Sequence, residues 1–160
     1  MSFQHLEWLF PEVVALHNAE EALWLPGWSK QGGRWRRPVA SGVFFFAVTI
    51  LTILIFILTG LSLRTGRETA WTYLVFGAMA VTLANVLVPH VTVSVATRSY
   101  MPGLATGLAL NLPVLSVLLL LALRQGYVTG GKAALYSAGV AGLTLLLIPA
   151  LFKAGKVLNL

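Results

Sequence analysis

The chain has 160 residues, 58% hydrophobic and 10% charged, with a mean hydropathy of +0.83. A soluble domain carries about 25% charged residues, so this composition excludes an ordinary soluble fold and predicts an all-α integral membrane bundle forming a single domain over 1–160. The absence of cysteine excludes disulfides and thiolate chemistry. The formal charge of +6 does not call for nucleic acid, because nearly all Lys and Arg flank apolar segments, where they orient helices and meet anionic headgroups.

Residues 3–25 form the first apolar helix, and Pro11 leaves its form open. A start near Ser2, which can cap it, gives a kinked helix long enough to span. A start with Pro11 in the first turn leaves a piece too short to cross, hence re-entrant or interfacial. No basic region precedes it, as a cleaved signal peptide would require. Pro26-Gly27 is expected to end it, with Trp24 and Trp28 at the interface. Lys30–Pro38 is a basic loop with four positive charges. Four spans follow, at about 39–63, 69–97, 104–123 and 133–152, the first of them free of charge. The third helix is interrupted by Asn85 and Pro89-His90, the fourth holds Asn111 and Pro113, and the turn between them reads Arg98-Ser-Tyr-Met-Pro-Gly103. Gly103-x-x-x-Gly107 and Gly139-x-x-Gly142 are spacings that let helices approach closely. With five spans, seven basic residues fall on one side and four on the other. This predicts a cytoplasmic C-terminus and a multi-pass protein of the bacterial cell membrane.

The polar anomalies point to chemistry. There is no Asp, and two of the five Glu lie in His17-Asn18-Ala19-Glu20-Glu21. On a helix turning about 100° per residue, Glu20 falls about 60° to one side of His17 and Glu21 about 40° to the other. Imidazole and carboxylates therefore converge on one stripe, beside Phe10 and Trp24. Adjacent carboxylates in an apolar groove are costly unless something neutralises them. His90 lies about 12 Å inside the Arg98 end of its helix, and His17 about 13 Å inside the Pro26 end of its own. The two histidines are thus expected at matching depth in one site. Ser94 and Thr97 lie on the His90 face, and Pro89 tends to free the Asn85 carbonyl as an extra oxygen ligand. The plainer alternatives are a histidine serving as an interhelical donor, Asn85 and Asn111 as packing contacts, and Glu20 and Glu21 paired with Arg98 and His90.

His-x-x-Glu-Glu at 17–21, a later histidine at 90 and Tyr-x-Pro-Gly at 100–103 together resemble the HXXEE family of small bacterial membrane proteins over roughly residues 5–120. The resemblance implies shared polar residues at His17, Glu20, Glu21, His90, Tyr100, Pro102 and Gly103. It brings no activity with it.

The residues favour a membrane-embedded enzyme with catalytic candidates His17, Glu20, Glu21, His90 and Tyr100, and substrate contacts at Phe10, Trp24, Asn85 and Arg98. In one form His17, Glu20, Glu21 and His90 ligate one divalent ion, zinc or iron, whose charge two carboxylates neutralise. In the other a Glu acts as acid or base with a histidine, while Trp8, Phe10, Trp24 and Tyr100 shield a cationic intermediate. That chemistry suits isomerisation or cyclisation of an isoprenoid-like substrate entering from the lipid. It is similar in kind, though not in sequence, to sterol isomerases of the emopamil-binding type. Proton or metal-ion transport and a non-catalytic partner subunit are the alternatives. Transport is disfavoured because the spans at 39–63 and 133–152 offer almost no ionisable groups.

Overall fold

A computed structural model describes residues 2–31 and 38–160. Among the described residues the chain is all helix, with four helices long and apolar enough to cross a membrane. After a short turn at Phe3–Leu6, five helices follow. They are α1 (Leu9–Ser29), α2 (Ser41–Thr65), α3 (Ala70–Thr97), α4 (Leu104–Arg124) and α5 (Gly130–Val157). The four apolar ones are α2 to α5; α1 carries Glu12, Glu20 and Glu21 and is not among them. The bounds of α2, α3 and α4 agree with the sequence expectation to within two residues, because uninterrupted apolar runs between turn residues leave little choice.

The N-terminal segment follows neither expected form. Ser2 does cap the first turn, its Oγ accepting from the His5 amide at 3.4 Å. That turn ends at Leu6, and a new helix begins at Leu9 with Pro11 in its first turn, where a missing N–H costs nothing. Pro26-Gly27 does not end α1, which continues to Ser29. Proline removes only its own hydrogen bond, and Ser29 restores a local one by donating to the Pro26 carbonyl at 2.8 Å. The resulting 21 residues reach about 31 Å, enough to match the hydrocarbon thickness. Helix α5 likewise outruns its expected 133–152 at both ends. Of the basic loop, residues 32–37 lie outside the described residues.

Helix α1 packs on α2 and α4, and α3 packs on α2, α4 and α5. The main apolar core joins Phe3, Phe10, Val13 and Val14 to Tyr73, Phe76 and Met79 of α3 and to Leu115 and Leu118 of α4. It fills the half of the bundle nearest the α2–α3 and α4–α5 turns. The opposite half, where α3 and α4 are joined by the Arg98–Gly103 turn, holds His17, Glu20, Glu21 and His90.

Both α3 and α4 contain a wide i→i+5 turn, at Val86–Val91 and Gly107–Asn111. The first contains Pro89, the second precedes Pro113 by two residues, and the two turns face one another; irregular turns of this kind often occur at functional sites. In α3, Val88 leaves the helical region altogether (φ −132°, ψ 110°). The kink expected at Pro89 is present, and the Asn85 side chain makes a contact described below.

Close approach of helices falls elsewhere than the Gly139 and Gly142 spacing suggests. A Cβ at either would meet nothing within 4 Å, whereas at Gly77 of α3 it would lie 2.9 Å from Val140 Cγ2 and 3.2 Å from the Ser137 Cα and the Tyr136 carbonyl. The glycine that permits contact is on α3, and α5 presents backbone to it. Gly77→Ala is therefore expected to destabilise by about 1–3 kcal/mol through overpacking. Gly139→Ala is expected to be neutral or slightly stabilising by helix propensity. Denaturant unfolding in detergent measures both.

Candidate functional site

Four segments build the site: α1, the wide turn of α3, the Arg98–Gly103 turn and the start of α4. That turn does not lie on the surface as a plain connection. Met101, Pro102 and Gly103 are buried, and the chain folds back into the bundle against α1.

The first amides of α4 have no side-chain cap of their own. Glu20 supplies one from α1. Its Oε1 accepts from the Gly103 amide at 2.7 Å and from the Tyr100 hydroxyl. Its Oε2 accepts from the Thr106 amide at 2.9 Å and the Thr106 hydroxyl at 2.6 Å. Four donors and the positive end of a helix satisfy this carboxylate completely. Burial and the bond to Glu20 both push the Tyr100 hydroxyl above its ordinary pKa, so it keeps its proton and donates.

Thr106 carries the arrangement one step further. Its single hydroxyl proton goes to Glu20, so its oxygen accepts from His17 Nδ1 at 3.1 Å. This fixes the His17 tautomer with the proton on Nδ1 and the lone pair on Nε2, a buried atom with no hydrogen-bond partner among the described residues. Sequence reading missed Thr106. A threonine in a membrane helix ordinarily bonds its own turn, and only its place three residues after Gly103 sets it apart.

The His17 and His90 rings meet edge to face with centroids 4.9 Å apart. His90 Nε2 lies 3.3 Å from Glu21 Oε1 and 3.1 Å from Asn85 Nδ2, and its Nδ1 is buried with no hydrogen bond formed among the described residues. His17, Glu21 and His90 each offer one ligand atom, all within 4.8 Å of one another, so the cluster could hold a metal ion. Glu20 stands outside this set because its oxygens are engaged with α4. The two adjacent carboxylates thus divide: Glu20 anchors and Glu21 faces the imidazoles.

The other expected residues distribute unevenly. Asn85 reaches His90, while Ser94 and Thr97 do not orient it. Ser94 Oγ accepts from the Met101 amide at 3.1 Å and Thr97 donates to the Val93 carbonyl at 2.8 Å, since the wide turn re-aims the His90 ring away from them. Trp24 is 63% exposed and, with Leu23, Trp28, Tyr100 and Pro102, lines a groove of about 490 Å³ beside Glu20. Phe10 is fully buried in the apolar core, two helical turns from His17, and Trp8 packs on Phe56 at the far end of the bundle. Neither is placed to shield charge at the histidines. Arg98 is exposed and, among the described residues, pairs with neither carboxylate. Asn111 is fully buried, but among the described residues its amide makes no hydrogen bond to another helix.

Gly103 is required twice over. Its φ is +90°, and a Cβ there would lie 2.5 Å from His90 Cε1 and 2.9 Å from His17 Cε1. Gly103→Ala is expected to displace both rings, read as changed histidine resonances in NMR spectra of the detergent-solubilised protein. Glu20→Gln leaves a donor facing donors and is expected to cost about 1–3 kcal/mol. Glu21→Gln, compared in protein stripped with a chelator, replaces a carboxyl that meets few donors by an amide of the same shape and is expected to cost less. Unfolding midpoints distinguish the two.

The sequence profile of the family described as "Protein of unknown function with HXXEE motif" matches residues 8–118. The chain is 36% identical over 144 residues to "Uncharacterized protein YrkK" of Bacillus subtilis (strain 168), covering 89% of this chain and 90% of that protein. No solved structure matches. Residues 8–118 contain the histidine pair, both carboxylates and the Tyr-x-Pro-Gly turn that caps and closes the site, and on these grounds the chain belongs to the HXXEE family.

Proposed function

We propose that the protein is a membrane-embedded enzyme that acts on an apolar, isoprenoid-like small molecule at one divalent metal ion, zinc or iron, held by His17, Glu21 and His90. What supports this reading is the buried convergence of two imidazoles and a carboxylate within 4.8 Å, with one nitrogen of each ring lacking a partner. Without a cation, buried ring nitrogens of this kind stay unsatisfied at considerable cost. Two neutral imidazoles and one carboxylate leave a divalent ion one positive charge and open coordination positions. Both favour a hydroxide or a substrate oxygen as the next ligand. Glu20, Thr106 and Tyr100 act as positioning residues by holding His17 with Nε2 toward the ion.

The substrate enters from the lipid through the groove at Trp24, Trp28 and Tyr100, which is apolar along most of its wall and reaches the turn that touches both histidines. The protein sits in the bacterial cell membrane with its C-terminus in the cytoplasm, following the excess of basic residues on that side. A second reading keeps the site metal-free. The 3.3 Å contact of Glu21 with His90 is then a proton-sharing pair fit for isomerisation or cyclisation.

Protein purified without chelators is expected to carry stoichiometric zinc or iron by elemental analysis, and His17→Ala, His90→Ala and Glu21→Gln each to lose it. Thr106→Val is expected to weaken metal binding about 10- to 100-fold while Thr106→Ser preserves it. Absence of metal, even after incubation with zinc or ferrous ion, overturns the metal form. Ion or proton flux in liposomes that Glu21→Gln abolishes assigns transport instead.

A further inference from the structure

A second buried acid lies far from the histidines. Glu7 sits between the first turn and α1, 1% exposed, with Oε1 lacking any hydrogen-bond partner among the described residues. Ten residues separate it from His17, about 15 Å along a helix, so it takes no part in the site above. The Ser62 hydroxyl lies against its carboxyl. Ser62 also donates to Thr72 Oγ1 at 3.3 Å. Thr72 is 3.0 Å from Thr69 Oγ1, and Thr69 is 3.0 Å from Thr65 Oγ1, which is exposed. Thr72 additionally donates to the Gly66 carbonyl in the same turn. A file of four hydroxyls thus runs from the surface at the α2–α3 turn toward a carboxyl inside the bundle; at rest Thr65 donates to the Leu61 carbonyl at 2.8 Å and Thr72 to the Gly66 carbonyl, so these hydroxyls rotate into the file as a proton passes. One turn deeper on α2, the Thr59 hydroxyl is fully buried and also lacks a partner.

Among the described residues no cation neutralises Glu7. Arg67 lies over the Tyr127 ring at 4.7 Å and Lys132 over the Tyr73 ring at 5.9 Å. His5, Arg64, Glu68 and Arg124 are exposed, and Glu7 forms no ion pair among the described residues. The groups that face it from α2 and, through Ser62, from α3 are hydroxyls. A hydroxyl both donates and accepts, and Ser62 has one proton with two neighbours, Glu7 and Thr72, able to take it in turn.

We propose that Glu7 is a proton-exchange site, served from the aqueous phase at the Gly66 turn by the relay Thr65–Thr69–Thr72–Ser62. In release, the Glu7 O–H bond breaks as its proton passes to Ser62. Each hydroxyl in turn gives up its own proton as it gains one, and water at Thr65 takes the last. Uptake is the reverse, and no other reactant is needed.

Infrared spectroscopy of the full chain in lipid nanodiscs tests this. The carbonyl band of a protonated carboxylic acid is expected to disappear in Glu7→Gln and to change reversibly with bulk pH in the wild-type protein. On transfer to D2O its isotope shift is expected to be about tenfold slower in Thr72→Val, which interrupts the file, and to recover in Thr72→Ser. The proposal is overturned by a band that Glu7→Gln leaves intact, by one that ignores pH, or by equal exchange rates in Thr72→Val and wild type. It is equally overturned by a band that shifts with sodium at constant pH, which would make the site one for a metal cation.

Discussion

The structure depends on a carboxylate placed at the start of a helix to which it does not belong. Glu20 of α1 accepts the Gly103 and Thr106 amides and two hydroxyls, so the beginning of α4 is completed by α1. Amides at a helix start need a partner from outside their own helix, and here another helix supplies it. The same bonds hold the Tyr-x-Pro-Gly turn inward, bring Gly103 against both imidazoles, and through Thr106 set which nitrogen of His17 is free. One charged contact therefore links backbone architecture to the electronic state of a side chain.

This explains a feature that composition alone makes puzzling. In a chain with five acidic residues, two adjacent ones in an apolar helix look redundant. Their neighbouring positions on a helix point about 100° apart, so they meet different partners. Glu20 meets donors that stabilise its charge. Glu21 meets imidazoles that do not, unless a proton or a cation joins them.

Much of this was legible in the sequence and some was not. Spans α2 to α4 follow from uninterrupted apolar runs between turns, and the shared depth of His17 and His90 followed from counting residues to helix ends. That counting worked despite an error of one turn, since α1 runs past Pro26 to Ser29. The inward fold of the Arg98–Gly103 turn brings His90 to meet His17 all the same. What sequence could not supply is the outcome of competition between partners: that Ser94 and Thr97 bond backbone, that Phe10 belongs to the core, or that Thr106 bridges Glu20 and His17. Those depend on the wide turns in α3 and α4, which shift side-chain directions off the regular helical wheel. The hydroxyl file at Glu7 was hidden for a related reason, because serine and threonine in apolar helices give no signal until their neighbours across the bundle are known.

Helix α5 stands apart from all of these arrangements. Most of its length is exposed or half-buried, it meets α3 across Gly77 and α2 at Gly155, and among the described residues no polar contact at the histidines involves it. The family match ends at residue 118, before it begins. The working parts are thus complete within four helices and their preceding turn. The fifth behaves as a brace on the outer side, stacking Tyr136 on Tyr73 of α3 and setting Phe152 against Phe44 and Gly155 against Val43 of α2.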